Sequence, residues 1–267
     1  MVVFGEQKQP HLAEKLITFR LALIIFGLAA TVLLSFSGIN RERLANRKVY
    51  GDSSTIPVLA LSETGSATPI STYAYIYAQL RLENAGLEEA AFELALKGWE
   101  KLKAAHQLAN GSLLSIADFS QPSTQKRLYI LDMENHKLLY QTYVAHGRNS
   151  GKEQALNFSN RPSSNKSSPG FYRTENTYYG NNGFSLRLAG LERGINDNAE
   201  SRAIVMHGAD YVNEANIRNS GYLGRSQGCP AIPLKLTRPI INTIKNGSCL
   251  FIYAPITQYA QKSDLVR

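Results

Sequence analysis

The sequence predicts a mainly β chain of the α+β class, a short helical region followed by one β-rich domain. Two features carry this reading. From Ser71 to about Leu108 apolar residues recur at three- and four-residue steps, the period of a helix packed on one side. After Asn110-Gly111 the period changes to short runs rich in Leu, Ile, Tyr and Val bounded by turn residues, the pattern of strands. Of the 267 residues 43% are hydrophobic and 19% charged, which suits a packed core and argues against wholesale disorder. No internal repeat divides the chain.

Taken in order, residues 1–40 read as a cytoplasmic stub followed by a signal peptide or a transmembrane anchor. Lys8, Lys15 and Arg20 precede the uncharged segment Leu21–Ile39, whose length is close to that needed to cross a bilayer. Ser35-Phe36-Ser37 offers the small residues of a cleavage site, whereas Arg41, Arg43, Arg47 and Lys48 leave the orientation open. Either way the chain is expected to be exported, and inner-membrane anchoring through residues 21–39 is one outcome. No Cys near the segment's end permits lipoprotein processing. Residues 41–70 mix charges with Ser, Thr, Gly and Pro and read as a linker.

Residues 71–110 form the helical subregion, expected to pack on a domain spanning 111–267. Glu88-Glu89 open its second helix after Asn84-Ala85-Gly86, where acidic residues suit the helix dipole. Phe92, Leu96, Trp99 and Leu102 make one apolar stripe, so Trp99 is assigned to packing rather than to an aromatic binding platform. Leu113–Ile116, Arg127–Met133 and Lys137–Ala145 read as strands, the last two as a hairpin around Glu134-Asn135-His136. A polar tract from His146 to Ser168 is too poor in apolar residues for the core and has the length of a functional loop. Strands follow at Pro169–Tyr172, Phe184–Leu191 and Ala203–Met206, the last ending at His207-Gly208. A short helix over Arg238–Lys245 stops at Asn246-Gly247, and Cys249–Ala254 supplies the final strand.

The net charge of +8 is spread without a basic block or interleaved aromatics, which gives nucleic-acid binding no support. Two cysteines exclude a disulfide-dense scaffold and a Cys-only zinc site. Cys249 sits in a core-strand pattern, leaving Cys229 for chemistry. A thiol attacks only as thiolate, and a nearby imidazole makes that feasible. His207, at the end of an apolar run, and Cys229, between Gly228 and Pro230, could form such a pair. Gly228 removes side-chain bulk so that backbone amides can face a developing oxyanion. The spacing of His207 and Asp210 alone does not make a metal site, and no Gly-x-Ser-x-Gly elbow supports a serine hydrolase.

His207-Gly208 followed by Ser226-Gln227-Gly228-Cys229 resembles the signature of the YkuD-like L,D-transpeptidases. The likeness is closer to a divergent branch, the murein L,D-transpeptidase catalytic domain family. His146–Gly151, Ser167–Tyr172, Ser185–Leu188 and Gly224–Pro230 carry it. The resemblance implies a YkuD-like β-sandwich, no cofactor and no metal, and an envelope or periplasmic enzyme acting on peptidoglycan stem peptides, with carbapenems as inhibitors. It makes Cys229 the nucleophile and His207 the base, with Gly228, Ser226 and Gly208 forming or orienting the oxyanion site. The acyl-enzyme on the third stem residue, formed with loss of D-Ala, would pass to a stem amine. Release to water, as in an L,D-carboxypeptidase or amidase, and a non-catalytic wall-binding module are the alternatives. Gln227 replaces the family's His, and Ala231 stands where Arg or Asn is usual. His146, Arg225 and Gln227 are therefore the expected substrate-binding residues, with a loop-structuring His146 as the alternative.

Overall fold

The structure, a computed structural model, describes residues 72–267. The segment Leu21–Ile39 and the linker 41–70 lie outside the described residues. Among the described residues no helix is long and apolar enough to cross a membrane.

Helices α1 (Thr72–Gln79), α2 (Leu82–Ala85) and α3 (Glu89–Ala104) open the described chain. The break expected at Asn84-Ala85-Gly86 is the end of α2, where Gly86 takes a left-handed conformation and its N–H returns to the carbonyls of Leu82 and Glu83. Helix α3 buries Phe92, Leu96, Trp99 and Leu102 in one stripe, as its periodicity requires. Each such side chain contributes about 1.5–3 kcal/mol relative to exposure. Trp99 is 8% exposed in that core, with the Lys103 ammonium 4.8 Å above its ring.

Eight strands form a single sheet: β1 (Leu113–Asp118), β2 (Leu128–Asp132), β3 (Lys137–Thr142), β4 (Gly170–Gly180), β5 (Gly183–Gly190), β6 (Val205–Ala209), β7 (Ala231–Pro233) and β8 (Cys249–Tyr253). Their order is β3-β2-β1-β8-β4-β5-β6-β7, with β1–β8 and β6–β7 parallel and the other pairs antiparallel. Alternation divides the two faces. Leu114, Ile116, Tyr129, Leu131, Phe171 and Phe251 pack against α3, while Leu128, Ile130, Tyr172, Leu250 and Ile252 fill the opposite face. Beyond β3, Ala145 bridges back to Ala231 at the far edge, so the sheet curls into a barrel-like closure. The expected two-sheet sandwich is thus one mixed, closing sheet. Residue alternation marks which side chains are buried, and says nothing of whether the strands share hydrogen bonds.

Three local expectations also change. Strand β6 begins at Val205, because Ala203 adopts φ 52° and cannot extend the strand, and pairing with β7 carries it on to Ala209, so His207 lies inside β6 rather than at its end. The loop after β6 contains helix α4 (Glu214–Ser220), capped by the Asn213 side chain at its start and by left-handed Gly221 at its end. Helix α5 (Leu234–Ile244) starts four residues earlier than expected and tolerates Pro239 within it. The polar tail forms α6 (Thr257–Lys262), whose Tyr259 hydroxyl reaches the buried Glu192 carboxylate.

Gly98 sets the spacing of α3 on the sheet. A Cβ there would lie 2.1 Å from the Phe171 ring, which is fully buried and stacked on Phe251 at 4.3 Å. Ala gains about 1 kcal/mol of helix propensity over Gly, but overpacking of this kind costs about 1–3 kcal/mol. Gly98→Ala is therefore expected to lower the urea midpoint. Gly111→Ala, whose Cβ meets nothing closer than 3.4 Å, should leave it nearly unchanged.

Candidate active site

Cys229 ends a turn that its own neighbours define. The Ser226 hydroxyl donates to the Cys229 carbonyl at 2.6 Å and accepts the Gly228 N–H at 3.0 Å. Gly228 has φ 125°, and a Cβ there would press on the Lys166 carbonyl at 2.8 Å, so no other residue fits without strain. The turn leads into β7, where Ala231 stands opposite His207 of the parallel strand β6. Two residues back from each, Cys229 is level with Val205.

That register brings the two predicted residues to one cleft of about 680 Å³, lined also by Arg148, Arg202, Tyr211 and Arg225. The Val205 N–H donates to Cys229 Sγ at 3.5 Å, and the thiol donates to the Ala203 carbonyl at 3.7 Å. His207 lies two residues further along the same face of β6, about 6.6 Å by the rise of a strand. The thiol thus rests beside Ala203. Resting sites often hold such pairs apart.

The tautomer of His207 follows from its other contact. Its Nδ1 lies 3.0 Å from the Gly208 carbonyl, which can only accept, so Nδ1 carries the proton and Nε2 the lone pair. Gly208 itself is required by packing, since a Cβ would lie 2.0 Å from the Thr237 hydroxyl oxygen of α5. Burial holds the His207 pKa down, and the Gly208 contact raises it. Burial pushes the Cys229 thiol up, while the Val205 amide and the Arg202 guanidinium pull it back. Both groups are therefore neutral at pH 7, a thiol with a base rather than a thiolate–imidazolium pair. Among the described residues no carboxylate lines the cleft, and its three arginines make it a basin for an anionic ligand. Among the described residues no group of three or more His, Cys, Asp or Glu gathers to hold a metal.

The chain's fold and site can now be set beside known proteins. The sequence profile of the L,D-transpeptidase catalytic domain, YkuD_2, matches residues 83–253. The chain belongs to this L,D-transpeptidase family. A search of curated protein sequences gave no match. Similar solved structures are distant. An L,D-transpeptidase from Mycobacterium smegmatis is 12% identical at a TM-score of 0.34, over 54% of this chain and 59% of that one. The helical cell shape determining protein Pgp2 from Campylobacter jejuni is 13% identical at 0.37, over 62% and 57%. The LD transpeptidase LdtMt1 in complex with imipenem is 10% identical at 0.34, over 53% and 59%. The chain thus spans about three-fifths of the mycobacterial structure's length.

Within this L,D-transpeptidase domain the other predicted residues divide. Arg225 lines the cleft, its guanidinium held by the Gly151 carbonyl at 3.2 Å and stacked over Tyr222. Gln227 lines it as well, exposed at the turn. The Gly228 amide, expected to face an oxyanion, is taken by the Ser226 hydroxyl. The Cys229 amide faces its own sulfur, and among the described residues the Gln227 amide donates to no acceptor. His146 does not reach the cleft. It is wholly buried, its Nδ1 accepting from the Arg127 guanidinium at 2.8 Å and its Nε2 donating to the Gly151 carbonyl at 3.3 Å. The motif it opens serves the turn instead: the Ser226 N–H donates to the His146 carbonyl, and the Arg148 N–H to the Ser226 carbonyl.

Sequence reasoning assigned no role to Arg202, Arg148 or the tip residues Asn181 and Asn182 of the β4–β5 hairpin, all of which line the cleft. Nor did it foresee Arg127, a fully buried guanidinium bonded to the Val144 and Gln121 carbonyls. Spacing gave no signal for these, because they are far from Cys229 in the chain.

Burial, then the Arg127 charge, holds the His146 pKa down to about 4, against about 6.5 unfolded. The unfolded chain binds the extra proton first. The stability from a neutral His146 is thus complete above pH 6.5 and disappears as pH falls through 4. The difference corresponds to about 3 kcal/mol. Denaturant unfolding at pH 7 and pH 4 should show His146→Gln losing less stability over that interval than the wild type, by an amount of this order.

Proposed function

We propose that the chain is a peptidoglycan L,D-transpeptidase of the cell envelope, exported through Leu21–Ile39 as signal or anchor, in which Cys229 attacks and His207 moves the proton. The observation that carries this reading is the convergence of Cys229 and His207 on one cationic cleft through the β6–β7 register. The family match supports peptide carbonyls of peptidoglycan as the substrate class, and the stem's carboxylates suit Arg148, Arg202 and Arg225.

In the proposed cycle the Cys229 S–H proton passes to His207 Nε2 as the sulfur adds to the carbonyl carbon of the third stem residue. The negative charge moves to the carbonyl oxygen, where the amides of Gln227 and Cys229 stabilise it; one such donor is worth a hundredfold or more in rate. Collapse breaks the C–N bond, and D-Ala leaves as an amine after taking the proton from His207. A thioester on Cys229 remains. A stem amine from a second strand then adds and gives its proton to His207, which returns it to the departing sulfur as the C–S bond breaks and a new amide forms. The neutral resting pair suits this order, because the base is already free to accept. Imipenem bound to a family relative supports carbapenem acylation of Cys229 as well.

Mass analysis of muropeptides after incubation with a disaccharide-tetrapeptide tests the reading. Dimers with one D-Ala released per cross-link are expected from the wild type. Cys229→Ala should form none, and His207→Gln should fall by at least about a hundredfold. Tripeptide monomer alone would move the reading to an L,D-carboxypeptidase, and unchanged substrate would overturn it.

A further inference from the structure

Position 231, two residues beyond the nucleophile, has no room for a cation. Ala231 is wholly buried, paired with His207 on one side and with Ala145 on the other. A long charged side chain there would have to enter the seam that closes the sheet. Positive charge in the cleft comes from other parts of the chain, Arg148, Arg202 and Arg225.

Arg202 meets the geometric requirement. It sits in the turn before β6, where its backbone N–H returns to the Asn198 carbonyl and the next residue, Ala203, takes a left-handed φ. Its guanidinium reaches across the polar tract. Nη1 donates to the Ser159 carbonyl at 2.9 Å and to the Ser168 hydroxyl at 2.5 Å; Nη2 donates to the Lys166 carbonyl at 2.6 Å and to the Ser164 hydroxyl at 3.3 Å. The same Nη2 lies 3.2 Å from the point a Cβ on Gly228 would occupy, so it rests against the nucleophile's turn. All four acceptors are neutral, and none of the ion pairs among the described residues includes Arg202. A half-buried guanidinium is thus fixed by dipoles, outside any ion pair among the described residues, against the turn that presents Cys229.

We infer that Arg202 is a positioning residue with two separable tasks, holding the Ser159–Ser168 tract in place and setting the reactivity of Cys229. One side chain holds the tract at the rim of the cleft and supplies the fixed positive charge that Ala231 cannot. Loosening the tract and losing the charge are separable, because Ser168 touches only the first function. The inference about thiol reactivity stands on geometry alone. Its bearing on turnover rests on the acyl transfer proposed above.

The charged or titratable groups that share the cleft with Cys229 are Arg148 on the tract, His207 in β6, Tyr211 beyond it, and Arg225 before the turn, besides Arg202. Variants at Arg202 alone leave the other four in place. The test is the pH profile of Cys229 alkylation by iodoacetamide in the full-length chain, read by peptide mass. It needs no substrate, so failure of the transpeptidase reading and failure of this one are distinguishable. Cys249 is wholly buried and separately identified. Arg202→Gln and Arg202→Met, two neutral replacements, are expected to move the profile's midpoint up by about one pH unit, a roughly tenfold slower reaction below it. Arg202→Lys keeps the charge and should stay near the wild type. Ser168→Ala should leave the midpoint unmoved while speeding limited proteolysis within 159–168. If the neutral variants keep the wild-type midpoint, or if Arg202→Lys moves as far as they do, the inference is overturned.

Discussion

The short parallel pairing of β6 with β7, sealed from the other side by Ala145, is the constraint on which the rest depends. Three residues of β7 connect the two ends of an eight-stranded sheet, and Ala231 contributes to both seams. The parallel register sets His207 opposite Ala231 and therefore Cys229 level with Val205. A slip of one residue would turn the imidazole to the other face of the sheet. The glycines around the pair follow from the same closeness. Gly208 admits Thr237 of α5, and Gly228 admits the Lys166 carbonyl and Arg202. The core supplies the rigidity: α3 packs one face through Phe92, Leu96 and Trp99, and Ile240, Ile241 and Ile244 of α5 fill the other.

Electrostatically the site is a buried neutral pair within a positive surround. Burial raises the thiol and lowers the imidazole, so both rest uncharged. The Ala203 carbonyl is the thiol's resting acceptor, and it would repel a thiolate. In the proposed cycle, departure of sulfur from Ala203 and arrival of its proton at His207 are linked events. Arg202 restrains the tract on one side and faces the turn on the other.

Much of this was legible in the sequence wherever a local rule governs. The α3 stripe, the Gly86 break and the strand runs at Leu128, Phe184 and Cys249 follow from periodicity and turn chemistry, and all appear in the structure. The motif around Cys229 was readable because Gly228 and Ser226 act within a few residues of it. What could not be read depends on contacts between distant parts of the chain. Two-sheet and one-sheet packings share the same alternation, so the sandwich expectation failed. Pairing with the distant β7 carried β6 past His207 to Ala209, and Ala203's left-handed backbone set its start without any Gly or Asn to announce it. Helix α4 was missed although Asn213 and Gly221 cap it, because its seven residues bury no apolar side chain. His146 illustrates the same limit. Its place in a motif-bearing loop marks it as important, and only the structure shows that it faces Arg127 rather than the cleft.

The central claim is that Cys229 carries the acyl group. It is tested most directly by intact and peptide mass measurement of the chain, quenched in acid seconds after mixing with a disaccharide-tetrapeptide. The account predicts a gain equal to the donor less D-Ala, confined to the peptide bearing Cys229 and released by hydroxylamine. Turnover with no adduct, or an adduct on any other residue, would contradict it.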